Sequence, residues 1–121
     1  MTPTMSDIAS IVAIRFQISV QDLRGQSRRR LYAWPRQITI LLATETTGNS
    51  LSVIGRYLSR HHTTVLFGRR AAAARISKNP KFAAEVESCR SLLIHRPGWK
   101  AGVAEAIRKN GVSHIAAASA L

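Results

Sequence analysis

The sequence predicts an all-α domain of five to six helices that includes a helix-turn-helix. Apolar residues recur at helical spacing along most of the chain, beginning with Ile8, Ile11, Val12 and Phe16. No segment shows the convincing alternation of apolar and polar residues that marks a strand. The length of 121 residues and the apolar fraction of 45% suit one domain with its own core.

The first two helices follow from this spacing and from capping residues. Ser6 is expected to cap the first helix, because a serine hydroxyl accepts from the free N–H groups of a first turn. A short turn or single helical turn around Asp22-Leu23 ends at Gly25. The next long helix should present one apolar face and then end at a left-handed Gly48 or Asn49. That face comprises Leu31, Trp34, Ile38, Leu41 and Leu42.

Pro35 either lies near the start of that helix or bends it, since a proline inside a helix removes a hydrogen bond. Ser50 then starts a short helix with one buried face, in which Gly55 allows close approach of another helix. The predicted buried face is Leu51, Ile54 and Leu58.

A break at Ser59-Arg60 separates this short helix from a longer one at about 61–77. The apolar positions of the longer helix are Val65, Ala72, Ala73 and Ile76. A short helix, a tight turn and a longer helix over residues 50–76 are typical of a helix-turn-helix.

Pro80 is expected to start a fifth helix, as proline is favoured in a first helical turn. Its apolar residues, spaced 4, 3 and 4 apart, are Phe82, Val86, Cys89 and Leu93. The main domain is therefore expected at 1–93. Residues 94–121 form a C-terminal extension, with a helical piece near 99–109 and a tail.

The charge is strongly basic and uneven. The formal net charge is +12 and the pI is about 11.6. Residues 1–79 carry twelve Lys/Arg against three Asp/Glu, and Lys78 is the single lysine among them. Arginine suits phosphate and guanine edges. Nucleic acid is the leading partner, with an anionic membrane surface or a merely sticky basic surface as alternatives.

Composition gives little support for other classes of function. Cys89 has no second cysteine to pair with, and the apolar stretch Ile8–Ile14 is too short to span a membrane, so a cytoplasmic protein is expected. His61 and His62 are expected to point apart and to lack further metal ligands. Six carboxylates and no Gly-x-x-x-x-Gly-Lys-Ser/Thr loop favour a non-enzyme without a cofactor or metal.

The second helix of a helix-turn-helix meets base edges with its N-terminal residues. Thr63 and Thr64 each offer a hydroxyl for hydrogen bonding and a methyl group for a thymine methyl. His61 and His62 can donate or accept, and Arg60 can reach phosphate or guanine. Arg69, Arg70 and Arg75 are expected to contact phosphate or solvent without adding specificity.

Three motifs carry a resemblance to one family. The segment SLSVIGRYLSRHHTTVLFG is similar to the signature of the DnaA DNA-binding domain, which has a Gly-Gly-Arg turn followed by Asp-His-Thr-Thr-Val-Leu-His-Ala. SRRRLYAWPRQITILLA resembles the family's Ala-Arg-Gln segment and long apolar helix, and ISVQDLRG resembles its Ile-x-Val-x-Asp-Leu turn. The match covers about residues 6–93 in order.

The resemblance implies sequence-specific binding of double-stranded DNA at DnaA-box-like sites, in replication initiation or its regulation. It places Arg28 in the minor groove, Arg36 on the DNA backbone, and His62 and Thr63 on bases. The full DNA-binding set that it implies, together with the residues of the turn, is Arg28, Arg36, Ser50, Arg60, His61, His62, Thr63 and Thr64.

Three departures from the family pattern bear on recognition. His61 stands where the family has Asp, Ser59 replaces the Gly-Gly pair, and Phe67 replaces His. Sequence preference is therefore expected to be shifted or relaxed. A domain without the ATPase module is expected to occupy boxes and to compete with a full-length initiator. The alternatives are a transcription regulator with an unrelated site and a basic protein-interaction module.

Overall fold

The computed structural model describes residues 3–94, and every regular element in that range is helical. The predicted all-α class is confirmed. The elements are α1 (Met5–Phe16), α2 (Val20–Arg24), a 3-10 turn (Arg30–Tyr32), α3 (Ala33–Thr46), α4 (Leu51–Leu58), α5 (His62–Lys78) and α6 (Pro80–Ile94). The expected extension at 94–121 lies outside the described residues, apart from Ile94.

One apolar core joins α1, α3, α4, α5 and α6. Helix α3 contacts α1 and α5, and α6 contacts both of those as well. The ring of Phe82 is fully buried and meets Trp34 edge-on, with ring centroids 5.2 Å apart. The predicted faces of α4 and α6 are confirmed, except that Leu51 is only partly buried. Each fully buried large apolar side chain contributes roughly 1.5–3 kcal/mol.

The start of α1 differs from the prediction. Thr4, rather than Ser6, caps the helix: its Oγ1 accepts from the Asp7 N–H at 3.1 Å. The Asp7 carboxylate accepts in return from the Thr4 N–H at 3.0 Å. This reciprocal pair satisfies two otherwise unpaired donors and places the start of the helix two residues earlier. Met5, which the prediction left outside the helix, is buried in the core.

Helix α3 begins at Ala33, so Pro35 lies in its first turn, where its missing N–H removes no helical hydrogen bond. Leu31 was predicted on the helix face but is 47% exposed, because it lies in the preceding 3-10 turn. Gly48 has a φ of +73° after the helix, as predicted for a left-handed end. In α5, Ala72 is buried whereas Ala73 faces solvent, so the predicted apolar role of Ala73 is wrong.

Ion pairs hold α6 against its neighbours. Arg15 of α1 binds Glu85 through two hydrogen bonds of 2.8 and 3.0 Å, which raises the pKa of Arg15. Arg90 of α6 binds Glu45 of α3 at 2.8 Å and also pairs with Glu87. The glutamates of the described residues thus lie on α3 and α6. Residues 50–78, in contrast, contain six Lys/Arg and no Asp or Glu.

One further feature agrees with the sequence. Cys89 is buried in the core, and burial raises the pKa of its thiol to about 12, which keeps it protonated and unreactive. Among residues 3–94, no helix has the length and apolar character needed to cross a membrane.

Candidate nucleic-acid interface

The turn between α4 and α5 folds tightly back on α4. The Arg60 N–H donates to the carbonyl of Gly55 at 2.7 Å. A Cβ on Gly55 would overlap the Arg60 carbonyl oxygen and would lie 3.3 Å from Cγ2 of Val65. Only glycine allows this approach, so the predicted role of Gly55 is confirmed. Together, α4, the turn and α5 form the predicted helix-turn-helix.

Ser59 makes this turn with a single left-handed residue, at φ 58° and ψ 41°. A left-handed conformation costs a residue with a Cβ roughly 1–2 kcal/mol relative to glycine. The turn is therefore formed without a glycine and carries some backbone strain.

His61 caps α5 with its imidazole. Nδ1 accepts from the Thr63 backbone N–H at 3.3 Å and lies 2.8 Å from Thr63 Oγ1. An accepting Nδ1 requires the neutral tautomer that carries its proton on Nε2. His61 thus supplies the acceptor that an N-cap aspartate would supply, and its Nε2–H points away from the cap.

The two histidine rings stack, with centroids 4.2 Å apart, so the prediction that they point apart is wrong. His61 has extended backbone before the helix and His62 is the first helical residue, which removes the helical divergence between neighbours. Within residues 3–94, no group of three or more candidate ligands could hold a metal.

The outward face of the first two turns of α5 carries Thr63, Thr64 and Phe67, all exposed. Val65 faces the opposite way and is fully buried. A Cβ on Gly68 would lie 2.7 Å from Cδ1 of Ile40, so α5 packs closely against the Ile40 side chain of α3. This close packing fixes the direction of the exposed face.

A basic loop, residues 25–29, lies between α2 and the 3-10 turn, and Arg36 of α3 holds it. The Arg36 guanidinium donates to the carbonyls of Leu23 at 3.0 Å, Asp22 at 2.9 Å and Gly25 at 3.0 Å, and also to that of Ser27. Burial, and then the charge of Arg60, lowers the pKa of Arg36. Four of its donors are used inside the protein, and its predicted contact with the DNA backbone stays a prediction.

Three further bonds tie the end of α2 and this loop to the end of α4 and the turn. The Arg24 Nε donates to the carbonyl of Tyr57 at 2.7 Å, and Gln26 Nε2 donates to that of Ser59 at 3.0 Å. Arg60 NH1 donates to the carbonyl of Arg24 at 3.3 Å. We call residues 24–27 and 57–60 with these bonds the loop–turn junction. Sequence reasoning missed Arg24 and Gln26, because side chains that bind backbone carbonyls leave no periodic pattern.

The junction leaves Arg28 pointing into solvent. Within the described part of the chain, its guanidinium makes no hydrogen bond or ion pair, and Arg29 and Arg30 are also exposed. Arg60 is instead half-buried, and burial lowers its pKa. Ser50 caps α4 by accepting from the Val53 N–H at 3.2 Å, which leaves its own O–H able to donate.

Arg75 does not belong to the exposed basic surface. Its Nε donates to Oε1 of Gln37 at 3.1 Å, and its guanidinium lies 5.6 Å from the ring centroid of Phe82. Arg75 is half-buried by packing between α3, α5 and α6, so it meets solvent only in part, and its predicted contact with phosphate stays a prediction. Arg69 and Arg70 are exposed as expected.

The arrangement combines a helix whose first turns expose hydrogen-bonding groups with a basic loop joined to the start of that helix. Helix-turn-helix readers insert such a helix into the major groove, and some add a basic arm that enters the adjacent minor groove. The predicted residues thus fall into an exposed set, chiefly Arg28, His62, Thr63 and Thr64, and an internally bonded set, chiefly Arg36 and Arg60.

Comparison with known proteins agrees with this geometry. The family model described as "Bacterial dnaA protein helix-turn-helix" matches residues 5–71. The chain is 37% identical over 94 residues to the chromosomal replication initiator protein DnaA of Lacticaseibacillus casei, covering 77% of this chain and 21% of that protein. It is 39% identical over 85 residues to DnaA of Symbiobacterium thermophilum, covering 69% and 19%. It thus spans about a fifth of these relatives.

Proposed function

The chain belongs to the bacterial DnaA helix-turn-helix family, and from this premise we propose that it binds double-stranded DNA with sequence preference at DnaA-box-like sites. Its biological role would be in replication initiation or the control of that process. The observation that carries the proposal is the loop–turn junction, which joins an exposed arginine loop to the N-terminus of the recognition helix.

In the proposed complex, α5 lies in the major groove. His62 and Thr63 contact bases, and the methyl groups of Thr63 and Thr64 lie against apolar edges of the groove. The Thr63 hydroxyl is already 2.8 Å from the His61 imidazole, so its position is set before DNA arrives. The Nε2–H of His61 is then a donor toward a base acceptor or a phosphate, which an aspartate could not provide.

Arg28 enters the adjacent minor groove in this proposal. A narrow A·T-rich minor groove has an enhanced negative potential that attracts arginine. The Arg28 side chain is exposed and carries no internal partner among residues 3–94, so no protein bond must break on binding. Arg36 supports this contact because its hydrogen bonds to loop carbonyls hold in place the loop that carries Arg28.

Phosphate contacts position the domain without reading sequence. The Ser50 hydroxyl at the start of α4 and the exposed cations of residues 50–78 are suited to this task. Arg36 and Arg60 are only half-buried, so they add positive charge to this surface although their guanidinium groups donate to backbone carbonyls of the chain.

Fluorescence anisotropy with a duplex carrying a TTATCCACA-type box and a scrambled duplex, at near-physiological salt, tests the proposal. We expect a preference of about a thousandfold, the lower end for specific binders. Arg69→Ala on the outer surface of α5 serves as a control that weakens both duplexes alike. Equal binding of the two duplexes by the wild-type chain would contradict box recognition.

A DNA box occupied by this chain is closed to a second protein that recognises the same bases. We therefore propose competition with a full-length initiator at shared sites. The test adds unlabelled full-length DnaA protein to a complex of the labelled chain and a box duplex. The full-length protein should displace the chain from the duplex, with a competition curve for a single site. Simultaneous binding of both proteins to one box would refute this part.

A second candidate is a regulator with an unrelated DNA site. The three departures favour it, since His61 changes the cap and Ser59 shortens the turn before the recognition helix. Selection of preferred duplexes from a randomised library separates the candidates. Enriched sequences that lack a box-like core would favour the second one.

A further inference from the structure

Phe67 is an exposed aromatic residue in the middle of the recognition face. It is 62% exposed, which is unusual for a phenylalanine beside a complete apolar core. Its position in α5 explains the exposure: at about 100° per residue, Phe67 lies about 160° around the helix from the buried Val65. Phe67 therefore faces away from the core that buries Val65.

The neighbours of Phe67 are the groups proposed to read DNA. At about 100° per residue, it lies about 40° from Thr63 and about 60° from Thr64 on the helix surface. The rise from Thr63 to Phe67 is about 6 Å, which corresponds to about two base steps of duplex DNA. A helix that brings Thr63 to one base pair brings Phe67 to a base pair about two steps away.

A phenyl ring makes no conventional hydrogen bond, so contact with an apolar group is the chief gain from burying it against DNA. The C5-methyl group of thymine is the apolar group that base pairs present in the major groove. We infer that Phe67 determines specificity by packing against a thymine methyl group, and this inference rests on the proposed DNA binding. The exposed Arg70, about 60° away on the same surface, suits an adjacent phosphate rather than an apolar protein partner.

The inference predicts a shifted preference rather than weaker binding. The family pattern has a histidine at this position, which can hydrogen-bond to a polar group. Phenylalanine would leave such a polar group unpaired and would favour a T·A pair oriented with its methyl group toward α5. The preferred sequence should therefore contain a required thymine about two base pairs from the one read by Thr63.

The test uses the duplex that the wild-type chain selects from a randomised library, so it does not depend on box recognition. Each thymine in that duplex is replaced in turn by deoxyuridine, which lacks only the C5-methyl group. We expect one replacement to weaken wild-type binding about fourfold, as for one methyl group left unburied. Phe67→Ala should bind the thymine duplex about as weakly and should no longer distinguish thymine from uracil there.

Three controls make the result specific. Phe67→Leu, which keeps an apolar side chain, should retain part of the discrimination. Ile94→Ala removes an apolar side chain of similar exposure, 67%, on α6 and should behave as wild type. At positions read by the Thr63 and Thr64 methyl groups, replacing thymine with deoxyuridine should still weaken the binding of Phe67→Ala. Since Phe67 is exposed, its variants should also unfold at the wild-type temperature.

Unchanged uracil sensitivity in Phe67→Ala at every position would overturn the inference and leave the proposed DNA binding intact. Selection that returns no preferred sequence would overturn both. A preferred site without the TTATCCACA-type core, combined with loss of uracil discrimination in Phe67→Ala, would overturn box recognition and support the role of Phe67.

Discussion

The basic loop at 25–29 and the first turn of α5 contribute to the same surface but are held in different ways. The loop has no regular structure, and side chains from other elements hold it, above all Arg36, which binds the loop carbonyls of Gly25 and Ser27 and two carbonyls of α2 just before the loop. The first turn of α5 is held locally, by the His61 cap and the left-handed Ser59. Loop position thus depends on tertiary structure, whereas the start of α5 depends on adjacent residues.

This difference shows that charge alone does not identify which arginines are free to bind DNA. Arg28 and Arg36 lie eight positions apart and both match DNA-contacting positions of the family. Arg28 is exposed, while the Arg36 guanidinium is engaged by the chain itself. Substitutions at these positions should separate stability from affinity.

The largest effect is expected for Arg36→Ala. Its loss leaves several carbonyls without a charged donor and should lower the free energy of unfolding by about 2–4 kcal/mol. Urea denaturation measures this change, and duplex affinity should fall as the loop loses its position. Arg36→Lys tests the cause, because one ammonium group cannot bind four carbonyls and should recover little. Full stability with uniformly weaker DNA binding would instead assign Arg36 to the DNA backbone.

A smaller and purely functional effect is expected for Arg28→Ala. The thermal unfolding temperature should stay unchanged, since the side chain is exposed. Affinity for the preferred duplex should fall by roughly 1–3 kcal/mol for a good groove contact, which is about fivefold to a hundredfold. Lys81→Ala, which removes an exposed cation from α6, is the matched control. Equal losses in the two variants would show that Arg28 contributes only net charge.

His61→Ala should cost about 1 kcal/mol of stability, the usual value of an N-cap. His61→Asp should restore the cap and also place a negative charge favourably at the start of α5. Chemical denaturation measures the stability of the wild-type chain and of the two variants. We expect His61→Asp to be at least as stable as the wild type, and both to be more stable than His61→Ala. If Ala were as stable as His, the imidazole bond to the Thr63 N–H would contribute nothing to stability.

The smallest effect is expected for Ser59→Gly. Glycine adopts the left-handed conformation without a Cβ penalty, so the folded state should gain up to about 1 kcal/mol, less the entropy that glycine adds to the unfolded chain. The unfolding temperature should rise by a few degrees. Ser52→Gly, inside α4 at an exposed position, should lower it and so provides the opposite control. A lower unfolding temperature for Ser59→Gly would mean that the Ser59 side chain stabilises the turn.

The sequence predicted the elements whose signal is periodic. In α6, the spacing of Phe82, Val86, Cys89 and Leu93 defined the buried face, and all four are buried. The helix-turn-helix followed from apolar spacing around Gly55 and from the motif that matches the family. These features are local or repeat regularly, so a single sequence contains them.

The features that the sequence did not predict depend on contacts between residues that are far apart in the chain. Nothing in the sequence distinguishes Arg36, which binds carbonyls thirteen and fourteen positions away, from the exposed Arg28. In the sequence, nothing distinguishes Arg75 from a surface cation, whereas in the fold α3 places Gln37 and Trp34 beside it. The histidine cap was missed because imidazole is an uncommon N-cap group, although its position directly before the helix was the available signal.

The ion pairs on α6 have a kinetic consequence. With Glu45, Glu85 and Glu87 paired to arginines there, and no acid among residues 50–78, the unpaired positive charge of residues 3–94 lies mainly on the basic loop and the helix-turn-helix. An uneven distribution of this kind orients the described part of the chain in the field of a polyanion before contact. The encounter complex therefore forms with the basic loop and the helix-turn-helix facing the DNA, which raises the association rate at low salt. The dissociation rate is governed by the close contacts made afterwards.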